Sequence, residues 1–265
     1  MQDNRRLIDE ALENEAVKNT FRLAWEFIRL NQKFTLTAMG LFIFLNLLGG
    51  TALLGTLFMV FAGVFGMMIQ IHVGKMFYAT HDIDTYVATI EENKIENVIK
   101  QHIQVAFGAY MGWIVLLLIS LVIVGVIGSA TGLIHEGMDQ MALVMALATL
   151  GLPILFISLL LSYVQPLVHS NIVLANDFSE GFKAVFSIFS LDVWRSAFQK
   201  SYFNYVAIFG LVLIGAVFAM VAVSTLLMSI PFVNILGNIL MMGCMYVFMV
   251  IISIGAMMAR RLVEE

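Results

Sequence analysis

Cysteine, proline and charge are what this chain is short of. Its 265 residues include one cysteine, Cys244, and three prolines. A lone thiol excludes a disulfide framework and any CxxC redox or zinc site built from the chain itself. Charged side chains make up 12% of the residues and stay outside the long apolar runs. That removes the Asp, Glu, Lys and Arg that intramembrane proton relays normally use. Absent too are a GxSxG elbow, a P-loop and a GxGxxG turn, so no motif points to acyl transfer or to a phosphate cradle. The net charge of -4 comes with no obvious basic face, which argues against nucleic acid as a partner. The start, MQDNRRLIDEALENEAVKN, carries charge where a secretory leader needs an apolar core, and no cleavable leader is expected. Period-two alternation, the mark of a membrane barrel, is missing.

What is present is apolar. Hydrophobic residues reach 61% and the mean hydropathy is +0.94, far outside the range of soluble domains. The chain has room for six runs of the length that crosses a bilayer as helix: residues 34–48, 51–73, 105–127, 141–165, 202–228 and 233–258. The expected fold class is all-α integral membrane, six transmembrane helices paired as three hairpins. They would form a single domain over residues 16–265, after a polar tail at 1–15. Residues 34–48 would rise only about 22 Å as a helix, so this span should borrow residues from one end. Gly151 and Pro153 should kink the fourth span.

Amphipathic stretches precede the odd-numbered spans. Val17, Phe21, Ala24, Trp25 and Ile28 recur at helical spacing against Lys18, Arg22, Glu26 and Arg29 on the other side. Ile95, Val98, Ile99 and Ile103 share a face in the second stretch. The third, within the polar and aromatic elbow at 165–199, sets Phe182, Val185, Phe186 and Phe189 on one face. Ser179 or Asp177 is expected to cap that helix, and Asp192 the next one. A slide of 95 residues matches Gln70, Val73, Asp82, Val98 and Gln104 with Gln165, Val168, Asp177, Val193 and Gln199. The unit would be an interfacial helix followed by a hairpin, repeated in parallel over 16–73, 84–165 and 179–258. All 14 lysines and arginines then fall on one side, which puts both termini in the cytoplasm.

A six-span bundle with amphipathic segments before its odd spans and an elbow reading SEGFKAVFSIFSLDVWR resembles the YciC-like inner-membrane proteins and the related membrane domain of glycerophosphoryl diester phosphodiesterases. The resemblance covers 17–261 and implies a protein of a bacterial cytoplasmic (inner) membrane. It implies no chemistry, because the soluble phosphodiesterase domain of some relatives is not in this chain.

Candidate sites are few. His81, Asp82 and Asp84, with His72 and His102 nearby, have ligand types and spacing suited to a divalent ion at the membrane surface. Helix capping by Asp82 or Asp84 explains the same residues with less. Met241, Met245 and Met249 lie at i, i+4 and i+8 and are soft ligands, but 18 methionines spread through the chain read as flexible packing. Asn46, Asn234 and Asn238 within spans, and Gln70, Gln165 and His169 near span ends, would either bridge helices or line a polar path. Trp25 and Trp194 are expected as interface anchors. No catalytic residue, metal or cofactor is expected. Membrane lipids are the expected partners, with a membrane-protein partner or a homo-oligomer beside them. Three readings remain open: organisation of lipid or partner proteins, transport of a neutral or hydrophobic substrate, and lipid-headgroup chemistry near His81.

Overall fold

The computed structural model describes residues 7–51, 54–80, 94–133, 135, 137, 139–149, 151–228, 230 and 233–264. Every regular element among them is helical. In chain order these are α1 (Leu7–Glu13), α2 (Ala16–Leu30), α3 (Gln32–Gly49), α4 (Gly55–Ala79), α5 (Ile95–Ala130), α6 (Gln140–Thr149), α7 (Gly151–Leu174), α8 (Phe178–Phe186), α9 (Leu191–Ala197), α10 (Lys200–Met228) and α11 (Asn234–Glu264). A 3-10 turn, Ser187–Phe189, joins α8 to α9. Six helices, α3, α4, α5, α7, α10 and α11, are long and apolar enough to cross a membrane.

The six spans are unequal in burial. In α4, 56% of the most apolar window is buried, against 11% in α10. The centre is therefore α4, packed against α3, α5, α7 and α11, while α10 leans on α11 at the edge. Small residues make the close approaches: a Cβ on Gly74 would stand 2.8 Å from Ser253 Oγ of α11 and 2.8 Å from a Val173 methyl of α7. Helix packing in lipid depends on such small residues, because the tails are as apolar as the side chains and burial alone drives little. Away from the polar end, Leu117, Leu118, Ile119, Leu121, Val122 and Ile123 of α5 are all exposed, as are Leu155, Phe156 and Ile157 of α7. Exposure at consecutive positions covers every side of a helix, and only a hydrocarbon solvent suits such a surface.

Helix ends fix the polar end. The last turns of α4 and α11 meet through Tyr78 and Glu264, and α7 joins them through Asn171 and Arg260. Here α1 and α2 also pack. α1 is no loose tail: Leu7, Ile8 and Ala11 are buried, and Asp9 accepts from Arg261 Nε at 2.6 Å. The three apolar residues at i, i+1 and i+4 make a stripe too short to stand out in a polar sequence. Glu15 turns the chain into α2 with φ 51°, and Asn19 Nδ2 donates to the Ala11 carbonyl at 2.9 Å.

The buried stripe of α2 is Thr20, Leu23, Ala24 and Phe27, rotated from the expected one so that Trp25 faces out. Phe21 and Ile28 are half-buried on its flank. α3 does borrow residues, starting at Gln32 with the single residue Asn31 between it and α2. Its 18 residues rise about 27 Å. In the second unit, the face of Ile95, Val98 and Ile99 belongs to the first turns of α5 itself, one helix of 36 residues. Residues 95–104 are continuous with the span: no Gly or Pro interrupts the run from Ile95 to Gln104, and Asn97 lies inside the helix. The fourth span is helical over Gln140–Thr149 and over Gly151–Leu174.

Candidate interfacial site

The elbow after α7 is built from its capping residues outward. Asp177 is the N-cap of α8, its Oδ1 accepting from Glu180 N at 2.8 Å, while Glu180 Oε2 accepts from Asn176 N at 2.8 Å. This reciprocal pair satisfies amides that the helix itself leaves open. Ser179 lies inside the helix. Asp192 falls in the first turn of α9, where Ser190 occupies the N-cap without a side-chain bond. The helix begins at Leu191, directly after the 3-10 segment and Ser190, which leaves Asp192 two residues past the N-cap.

α8 does more than lie on a surface. It wedges against both α5 and α7. Cβ atoms on Gly108 of α5 or Gly181 of α8 would collide with backbone atoms of Phe178 and Val105 respectively, and one on Gly112 would sit 3.0 Å from Phe182 O. Three glycines thus let two helix backbones touch. The same elbow then turns Phe189, Leu191 and Phe198 outward, at 63%, 74% and 76% exposure.

Hydrogen bonds lock the elbow to the spans. Trp194 Nε1 donates to Ile188 O at 2.8 Å, Tyr163 donates to Ala197 O, and Tyr202 donates to Tyr163 O at 2.7 Å. Arg260 Nη1 donates to Asn171 Oδ1 at 2.6 Å and its Nε to Glu264 Oε1 at 2.7 Å. Tyr78 donates to Glu264 Oε2 at 2.8 Å, and Asn171 Nδ2 donates to Ser187 Oγ at 3.0 Å. Around these groups opens a polar cavity of about 340 Å³, lined by Asn171, Ser187, Ser190, Asp192, Ser196 and Arg260 among others. Two further cavities are apolar. One of about 630 Å³ lies between α2 and α10, the other of about 660 Å³ between α10 and α11.

His81, Asp82 and Asp84 lie outside the described residues. Their expected neighbours do meet: His72 Nδ1 and His102 Nε2 are 3.2 Å apart, buried between α4 and α5, with the Phe34 ring 5.7 Å from His72. No group of three or more His, Cys, Asp or Glu close enough for a metal occurs among the described residues. Asn46 turns back on its own helix, Nδ2 donating to Phe42 O at 2.8 Å. Gln70 accepts Ser253 Oγ through its backbone carbonyl. Gln165 and Asn238 are half-buried, His169 is buried in α7, and Asn234 starts α11 with its side chain outside the described set. None of the three cavities is lined by Asn46 or Asn238. Trp25 is 64% exposed, whereas Trp194 braces the elbow from within. The convergence of Asn171, the three serines and Arg260 escaped the sequence reading. The only signal for it was Arg260 and Glu264, four apart on one face of the last helix.

Six helices long and apolar enough to cross a membrane, with large apolar side chains exposed along them, define an all-α multi-pass membrane protein. No protein-family model, curated protein or solved structure matches the chain.

Proposed function

We propose that this is a non-catalytic protein of a bacterial cytoplasmic membrane, with both termini in the cytoplasm, that organises lipid or partner proteins. One observation carries the reading: the elbow buries its glycine side in the bundle and turns Phe189, Leu191 and Phe198 outward at the polar end. Bulky apolar side chains at that level belong among headgroups and upper acyl chains. The 14 lysines and arginines support a cytoplasmic polar end, since positive loops stay on that side. The likeness to YciC-like proteins, drawn from the elbow and the six-span pattern, agrees with this setting.

Transport of a neutral or hydrophobic substrate is the competing reading. It needs a polar path past Asn46, Asn234 and Asn238, and the Asn46 side chain turns back to donate to Phe42 O of its own helix. Chemical analysis of what copurifies with the tagged, full-length protein tests the proposal. Enrichment of a lipid class or of one membrane protein is expected. Flux of a small neutral solute across vesicles holding the purified protein, abolished by substitution of Asn238, would contradict it.

A further inference from the structure

We infer that the polar cavity between the elbow and the end of α11 binds the headgroup of a zwitterionic phospholipid bearing a primary ammonium, a phosphoethanolamine. The inference deepens the lipid-organising reading and rests on it. Small-molecule pockets run from about 300 Å³ upward, so 340 Å³ suits a headgroup rather than a whole lipid.

The lining offers both charges such a group needs. Arg260 uses two guanidinium donors, on Asn171 and Glu264, and the rest have no partner among the described residues. The hydroxyls of Ser190 and Ser196 likewise have none. Guanidinium and hydroxyl donors together are the chemistry of phosphate recognition. Asp192 supplies the opposite pole. Its carboxylate lines the cavity and makes no ion pair among the described residues, whereas Glu264 is already held by Arg260 and Tyr78. An ammonium with three N–H donors fits the free carboxylate; a trimethylated one has no donors to give.

A membrane lipid, rather than a soluble zwitterion, follows from the rim. Phe189 and Leu191 flank Ser190 in sequence, Phe198 ends α9, and all three are strongly exposed. The cavity therefore opens beside side chains that sit among lipids, where headgroups are the most abundant small polar groups.

Native mass spectrometry of the full-length protein in mild detergent tests this, with phosphatidylethanolamine, phosphatidylcholine and phosphatidylglycerol offered in equal amounts. Phosphatidylethanolamine should be retained about tenfold over either competitor, the size of one charge-assisted hydrogen bond. Asp192→Asn should erase that preference with no change in melting temperature. Replacing Arg260 also cuts its ties to Asn171 and Glu264, so the phosphate side is tested by Ser190→Ala with Ser196→Ala, which should weaken retention of all three lipids. Soluble glycerophosphoethanolamine should displace the bound lipid. Equal retention of the three lipids by the unaltered protein, an Asp192→Asn variant that keeps the preference, or displacement by inorganic phosphate alone would overturn the inference. Absence of any headgroup preference in the unaltered protein, with lipid still copurifying, overturns the cavity assignment alone; solute flux overturns the functional reading alone.

Discussion

At the scale of single residues, glycine decides how closely the elbow packs. The contact of Gly108 with Phe178 and of Gly181 with Val105 leaves no room for a methyl. Gly108→Ala should lower stability by about 1–3 kcal/mol or more, as overpacking does. Gly125 and Gly215 lie in α5 and α10 with open space around them. Alanine there should be neutral or stabilising by up to about 1 kcal/mol, through helix propensity. Unfolding midpoints in one detergent would compare the two classes, and equal effects would contradict the glycine seam.

A second residue-scale test concerns His72 and His102. Replacing His72 by leucine takes the partner from His102 Nε2 in a buried setting, at a cost of about 1–3 kcal/mol, whereas replacing both removes that buried ring as well. The double variant should therefore lose less than the sum of the single variants, and strict additivity would show that the two rings do not interact.

At the scale of elements, the cap and the tail are the informative pieces. Asp177→Ala should cost about 0.5–2 kcal/mol because Glu180 N loses its acceptor, while Asp192→Ala should leave stability unchanged. Thermal unfolding distinguishes them. Asp9→Asn should loosen α1 from Arg261, read as faster amide exchange over residues 7–13 with the spans unchanged.

Much of this level was legible in the sequence. The elbow announced itself by its aromatic and polar composition, and Asp177 was among the residues singled out as its cap. The wedge was not legible, because a glycine on α8 gains meaning only from the glycines it meets on α5, about 70 residues earlier in the chain. The rotated face of α2 escaped for a related reason. Thr20 counts as polar in a helical wheel, yet it is buried where its hydroxyl meets Tyr205 at 2.8 Å.

At the scale of the whole molecule, six spans follow from apolar run length alone, and the structure carries six helices of that kind. The division between a central α4 and a peripheral α10 does not follow from run length: both runs are long enough to span, while α10, the more apolar of the two, is about a fifth as buried. The polar cavity stayed hidden because its walls come from α7, the elbow and α11, which only the fold brings together. The account's central claim is that the elbow and both chain ends share the cytoplasmic face of the membrane. Its most direct test is labelling of single cysteines placed at Gln199, Glu264 and Asp139 in a Cys244→Ala background, in intact cells with a membrane-impermeant maleimide. Position 139 should be modified from outside, and positions 199 and 264 only after the membrane is opened. Labelling of 199 from outside, or of 139 only in opened cells, would contradict the account.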